Sequence, residues 1–298
     1  MAMQPFKMMI GDMVNDEQKS YAYGIQSMLS NSGAVIAAFF PFLLTVLGVA
    51  NTAKKGVVPQ SVVISFYVGA TILVITSLLT VTKVHEYDPK TYARYHGIKE
   101  EDNKEGGNWF ELLKKAPKVF WQVSLVQLFC WFSFQYLSTY ATGAIAENVW
   151  KVTDPSSAGY QLAGNWFGVL TAVQSIAAVI WSYVLAKVPN DHHKVGYGIS
   201  LLLGAIGYGS IFFIHSQNIL IVSFILIGIS WAAMNTYPLT MVSNALSGKH
   251  MGTYLGLFNC SICLPQIIAS LLSFILFPLM KYSMPAMMLT AGISGILA

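Results

Sequence analysis

Polar and aromatic side chains recur along one face of an otherwise apolar stretch, residues 119–142. Gln127, Trp131, Gln135, Ser138 and Thr142 follow one another at spacings of four, four, three and four, which places them on one face of an α-helix. Amides and hydroxyls match the hydroxyl groups of a polyol, and aromatic faces suit the apolar side of a sugar ring. Because a polar stripe in a lipid-embedded helix must face protein or water, this face favours a wet cavity for a neutral polyol.

Amides and tryptophan in other apolar stretches extend this set. For each residue alone, the alternative is a hydrogen bond between helices, contributing about 1 kcal/mol or less. Taken together, the excess of amides and aromatic groups favours the cavity, and the scarcity of buried cations argues against a strongly anionic substrate. The additional residues are Gln26, Asn31, Asn165, Gln174, Trp231, Asn235, Asn259 and Gln266.

Three ionisable residues are candidates for coupling to an ion. Ionisable groups inside a membrane are costly and therefore functional candidates by default. Only Asp12 and Glu147 among the acids, and Lys7 among the bases, lie near a helix body. Lys7 and Asp12 are about 140° apart on a helix, so each would meet a partner on another helix. The alternatives are a snorkelling lysine and interfacial carboxylates.

Other motifs do not indicate chemistry. Cys260 and Cys263 have redox or zinc-ligand spacing, but they lie within an apolar span and are interpreted as two buried thiols. His192 and His193 form a loop pair with no third ligand nearby. The sequence shows no phosphate-binding glycine loop, nucleophile elbow or metal cluster. We therefore expect no enzyme activity, no cofactor, no metal and no nucleic-acid partner.

The elements that must position these residues are long apolar blocks. The chain is 55% hydrophobic and only 10% charged, and about 20 apolar residues suffice to cross a bilayer as a helix. Because the apolar character extends all round each block, helices in lipid satisfy the backbone best. Seven crossings are predicted, at Ala22–Gly48, Val62–Val81, Val119–Thr142, Ala163–Val188, Gly196–Ile214, Ile219–Ser243 and Met251–Met280.

The distribution of basic residues predicts the orientation. If the polar segment Lys83–Lys118 is cytoplasmic, thirteen of the 17 basic residues lie on that side, as the positive-inside rule expects. Within this segment, residues 108–115 resemble a capping box followed by a short amphipathic helix on the membrane surface.

The apolar segments at both termini are too short to span a bilayer, so the chain is interpreted as part of a longer protein. Small residues four apart, as in Ser200/Gly204 and Ala205/Gly209, favour close helix packing.

Three blocks of the sequence resemble one transporter branch. Residues 4–12 with Glu17-Gln-Lys19 are similar to the fourth-helix end of sucrose- and maltose-type sugar–proton symporters of the major facilitator superfamily. These are related to glycoside–cation symporters. Trp131-Phe132 with Tyr140–Trp150 is similar to the family's seventh helix. Residues 228–231, 237–238, 251–259 and 264–266 resemble its tenth and eleventh helices.

The resemblance implies a twelve-helix bundle in two halves, of which this chain covers part. Residues 1–82 would complete the first half, 83–118 would be the central cytoplasmic loop, and 119–298 would form the second half. The implied function is proton-coupled uptake or release of a sugar, such as a disaccharide, across the plasma membrane by alternating access. The resemblance also links Lys7, the basic residue at this position, to coupling. It adds Tyr140 to the substrate-contacting candidates. A sodium-coupled or nucleoside carrier, or a non-transporting receptor or sensor, remains the alternative.

Overall fold

The computed structural model describes residues 9–10, 13–14, 18–50, 58, 60–84, 91, 109–155, 157–189, 192–246 and 251–298. Within these residues the regular structure is helical and contains no strand, which confirms the predicted all-α bundle. In chain order, the α-helices are α1 Lys19–Val46, α2 Gln60–Lys83, α3 Trp109–Lys115, α4 Lys118–Ile145, α5 Ala158–Leu185, α6 His193–Ser210, α7 Leu220–Ala245, α8 Met251–Phe258, α9 Cys260–Leu279 and α10 Met284–Leu297. A π-helical turn, Ala146–Trp150, directly follows α4.

Every predicted apolar block coincides with a helix. The predicted crossing over Met251–Met280 corresponds to one membrane-capable stretch, Thr253–Leu279. Asn259, here called the α8–α9 break, separates α8 from α9 but keeps helical dihedral angles, φ −62° and ψ −24°. By length and hydropathy, four helical stretches of the described part can span a membrane: Gln60–Lys83, Ala158–Leu185, Leu220–Ala245 and Thr253–Leu279.

Three of the seven predicted crossings, α1, α4 and α6, do not meet this criterion. In α4 the glutamines at 122, 127 and 135 lower the hydropathy of a stretch that is otherwise rich in Phe, Leu and Val. Hydropathy alone therefore supports four crossings. The other three remain predictions, and two of them, α1 and α4, carry candidate site residues.

The core lies between helices of the later part of the chain. Tyr136 of α4, Phe224 of α7 and Met287 of α10 are fully buried in one cluster, to which α5, α6 and α9 also contribute. Burying a large apolar side chain stabilises a soluble protein by about 1.5–3 kcal/mol. In lipid, however, dispersion and close packing replace the hydrophobic driving force between helices.

Small residues permit that close packing where the sequence predicts it. A Cβ atom added to Gly292 of α10 would lie 2.7 Å from the Gly209 Cα atom of α6, and one added to Gly295 would lie 3.0 Å from the Ala205 Cβ atom. Similarly, Ser230 of α7 occupies the space beside Gly204. The predicted small-residue pairs on α6 are thus confirmed as contacts with α7 and α10.

Helix α2 differs from the others in having almost no protein neighbours among the described residues. Ser61 is its only buried residue, and Phe66 is 75% exposed. Its apolar residues face outward all round, which is the pattern of a helix whose surroundings are lipid.

Candidate functional site: a polar cavity between helices

A small cavity brings together residues from α4, α7 and the α8–α9 break. Its volume is about 10 Å³, roughly the room that one water molecule needs. Four of the predicted substrate-contacting residues line it. The lining residues are Gln127, Trp131, Met234, Asn235, Leu239, Phe258, Asn259 and Ile262.

Two buried polar atoms on this wall lack a hydrogen-bond partner in the described part of the chain. Gln127 donates from Nε2 to the Met234 carbonyl at 3.3 Å, but its Oε1 atom has no donor. The indole Nε1 of Trp131 has no acceptor. An unpaired buried polar group is destabilising by about 1–3 kcal/mol. A hydroxyl group has the complementary chemistry, because it donates to an acceptor such as Oε1 and accepts from a donor such as Nε1.

An aromatic cluster lies beside the cavity. Trp131 meets Trp231 edge to face at 5.8 Å between ring centroids, and it meets Phe134 at 5.6 Å. Phe134 and Trp231 stack at 4.3 Å with 27° between their planes. These rings form a rigid apolar wall, and edge-to-face and offset contacts of this kind are worth about 0.5–1.5 kcal/mol each.

Hydrogen bonds from α1 connect the early part of the chain to this cluster. The Trp231 indole donates from Nε1 to the Asn31 Oδ1 atom at 3.1 Å. One turn away, Ser27 and Ser182 of α5 are joined through their hydroxyl oxygens at 3.0 Å. Gly24 completes the contact, since a Cβ atom added to it would lie 2.9 Å from the Ala186 Cβ atom. Asn31 is therefore joined to the aromatic wall of the cavity and does not line the cavity itself.

The amide donors of two other candidates are held by their own helices. Asn235 donates from Nδ2 to the Trp231 carbonyl at 2.9 Å, and Gln266 donates from Nε2 to the Ile262 carbonyl at 3.1 Å. Gln135 reaches α9 instead, donating to the Ser270 hydroxyl at 3.4 Å. The amide side chains of α7 and α9 are thus partly occupied by local bonds in this conformation.

The remaining predicted substrate contacts lie elsewhere. Tyr140 is buried in the core against Tyr136 and Phe277, Gln174 is buried on α5, and Asn165 is exposed. Gln26 lines a separate, mainly apolar cavity of about 700 Å³ formed by α1 together with Ile10, Met13, Val14 and Gln18. The polar face predicted on α4 is also divided, because Gln127 and Trp131 are buried whereas Ser138 is exposed.

Of the three coupling candidates, only Glu147 can be located, since Lys7 and Asp12 lie outside the described residues. Glu147 is in the π-helical turn, and its Oε1 atom accepts from the Met284 backbone N–H at 3.3 Å. Its neighbour Asn148 donates from Nδ2 to the carbonyls of Ile211 and Phe212, at 2.8 and 3.1 Å. A carboxylate at the start of α10 suits the partial positive charge of a helix N-terminus. This geometry corresponds to the interfacial role considered for Glu147.

The histidine and cysteine motifs have structural surroundings. His193 begins α6, where its Nε2 atom is 3.0 Å from the Val188 carbonyl and its ring lies 4.8 Å from that of Tyr237. Burial lowers the pKa of His193, and the hydrogen bond to Val188 raises it by a smaller amount.

Cys260 and Cys263 are free thiols on the exposed face of α9, whereas the sequence predicted two buried thiols. They lie outside the core because this part of α9 has few helix neighbours. Across the described residues, no group of three or more metal-ligating side chains occurs.

Sequence reasoning missed Ser27, Ser182 and Phe134. Serine is common in membrane helices, so neither serine has a distinguishing sequence signal beyond the four-residue spacing from Ser27 to Asn31. Phe134 follows Trp131 by three residues and so shares its helix face. That spacing would have identified it.

A helical bundle with several membrane-capable helices and a polar cavity between them defines a multi-pass membrane protein. The family model of the Major Facilitator Superfamily matches residues 1–270, so the chain belongs to this family of membrane transporters. The superfamily predicted from the three sequence blocks is thereby confirmed. A search of curated proteins finds no match.

Proposed function

We propose that the protein is a secondary active transporter that moves a sugar, such as a disaccharide or a related glycoside, by proton-coupled alternating access. The observation that carries the proposal is the pair of unpartnered atoms, Gln127 Oε1 and Trp131 Nε1, beside the aromatic cluster. One acceptor and one donor next to aromatic rings suit the hydroxyl groups and the apolar face of a pyranose. The described residues that line this cavity are all uncharged, which favours a neutral substrate over an anionic one.

The cavity must widen before it accepts such a substrate. Ligand sites hold about 300–1,000 Å³, far more than the present 10 Å³. Widening requires α4 and α7 to separate from the residues around Asn259, between α8 and α9. In alternating access, two helix groups move about a central site. On this proposal residues 1–82 belong to one group and 119–298 to the other, with the cytoplasmic loop 83–118 between them.

Proton coupling is assigned to Lys7 and Asp12, and the protein is placed in the plasma membrane. Coupling requires a titratable group whose protonation depends on sugar occupancy. Membership of the Major Facilitator Superfamily and the buried polar residues of α4 favour a carrier over a receptor or sensor.

The test uses the complete gene product reconstituted in vesicles that enclose a pH-sensitive dye. A disaccharide gradient is expected to move protons in the same direction as the sugar, and a proton gradient should drive sugar accumulation. Parallel vesicles with a sodium gradient, or with nucleosides in place of sugars, separate the alternatives. Sugar flux driven by a sodium gradient would reject the proton as the coupling ion, and nucleoside flux would reject a sugar as the substrate. The absence of flux under every condition would reject transport as the function.

A further inference from the structure

The junction between α3 and α4 exposes cationic and aromatic side chains and is also fixed to the protein. On the protein side, Leu112 is buried with Phe120 and Phe258, and its carbonyl accepts from the Tyr254 hydroxyl at 3.0 Å. This hydrogen bond joins α3 to α8. The short helix is therefore held against the bundle and is not simply part of a loop.

The outward side of this junction is basic and aromatic. Lys114, Lys115 and Lys118 are exposed, Phe110 is 53% exposed and Trp121 is 50% exposed. The Lys114 Nζ atom lies 5.5 Å from the centroid of the Phe110 ring, one helical turn away. Glu111 is the one exposed acid on α3. We call Phe110, Lys114, Lys115, Lys118 and Trp121 the basic elbow.

The position of the basic elbow relative to the bilayer follows from α4. Lys118 is the first residue of α4 and Trp121 lies in its first turn. Tryptophan is enriched at the level of the lipid headgroups, and lysine ammonium groups reach toward phosphate there. Among the described residues of α3 and the first turn of α4, the three lysines and Glu111 leave two net positive charges.

We propose that the basic elbow binds the phosphate headgroup of an anionic phospholipid. The lysines supply the charge, and Phe110 and Trp121 contact the glycerol and upper acyl region. Since α3 is hydrogen-bonded to α8, a lipid bound here also contacts the element next to the α8–α9 break. The proposal rests on the membrane placement of the chain and is independent of which substrate is carried.

The test is lipid titration of the detergent-purified complete gene product, monitored by native mass spectrometry. Phosphatidylglycerol is compared with phosphatidylcholine for the parent and for K114Q/K118Q. We expect the parent to prefer phosphatidylglycerol, and the variant to bind it about tenfold more weakly, because each lysine near an anionic surface contributes severalfold to affinity. K114R/K118R keeps both charges and should retain the preference.

The matched control is K151Q/K281Q, which removes two exposed lysines outside the elbow. It should leave the preference unchanged. Equal loss in both double variants, or no loss in K114Q/K118Q, would overturn the proposal. Glycerol phosphate, which has no acyl chains, is the competitor. If it displaced phosphatidylglycerol completely, the proposal that a lipid occupies the basic elbow would be wrong. Thermal unfolding of each variant without lipid separates a binding defect from a folding defect.

Discussion

At the scale of single residues, Gln127 and Trp131 carry the argument for a ligand because each has a buried polar atom without a partner. A core amide that serves only to join helices has its oxygen and nitrogen occupied, and removing it destabilises the protein. Gln127 has one donor bond and one empty acceptor. A ligand-binding amide and a structural amide therefore differ in what their removal does to stability and to affinity.

The first prediction separates these roles with Gln127→Leu. Substrate affinity is expected to fall about tenfold or more, since a hydrogen bond in a dry site contributes about 1–3 kcal/mol. The free energy of unfolding should fall by no more than about 1–3 kcal/mol. The substitution removes an unpaired buried oxygen, but it also takes the Nε2 donor from the Met234 carbonyl, and Pro238 four residues later has no N–H to replace it. Uptake kinetics and thermal unfolding provide the two measurements.

Gln122→Leu is the matched control, because Gln122 is exposed on the same helix. It should change neither quantity. A large loss of stability in Gln127→Leu with unchanged affinity would assign Gln127 to helix packing and remove it from the site.

At the scale of helices, the contact of α1 with α5 and α7 is the structural link between the two groups that the proposed mechanism moves. Two side-chain hydrogen bonds between described residues cross it, Ser27 to Ser182 and Asn31 to Trp231. Isolated hydrogen bonds between membrane helices average well below 2 kcal/mol. An interface held by two of them can open during a transport cycle.

The second prediction tests whether this contact opens. A disulfide in S27C/S182C, in a background without Cys130, Cys260 and Cys263, is expected to stop transport, and a reductant should restore it. Ser210 and Ser223 provide the matched control, because their hydroxyl oxygens are 2.7 Å apart between α6 and α7, within one proposed group. A disulfide in S210C/S223C should leave transport intact. Full transport by oxidised S27C/S182C would show that α1 and α5 do not separate.

The third prediction concerns the packing of α6 against α10. Gly292→Ala places a Cβ atom 2.7 Å from the Gly209 backbone, so the helices must move apart, and overpacking of this kind costs about 1–3 kcal/mol. The thermal midpoint should fall by several degrees. Gly168→Ala on α5 has open space around it and is expected to be neutral or slightly stabilising. If both variants unfold at the same temperature, the close approach of α6 and α10 is wrong.

At the scale of the whole molecule, the sequence predicts the fold better than the site. Apolar blocks locate α1, α2 and α4 to α9 within a few residues, because helix formation in lipid is dictated by composition and backbone hydrogen bonding. The short helix α3 has no such block and is predicted instead from the capping box at residues 108–115. Apolar residues continue on both sides of Asn259, and the helical backbone continues with them.

The candidate site is predictable only in part, since a polar residue in a membrane helix indicates a buried face without indicating which neighbour it meets. Gln127, Trp131, Asn235 and Asn259 share the cavity as predicted. Tyr140, by contrast, is within the core, and Asn165 is exposed. The rotation of each helix about its own axis decides these outcomes, and that rotation is set by small residues such as Gly204 and Gly292 on other faces.

The π-helical turn after α4 also has a consequence for motion. Through Glu147 and Asn148 it ties the end of α4 to the beginning of α10 and the end of α6. Separating the end of α4 from α10 breaks one of these hydrogen bonds, and separating it from the end of α6 breaks two. A swing of α4 that enlarges the space around Gln127 keeps all three bonds only if it hinges at this corner, and its displacement is then greatest at the opposite end, at Lys118.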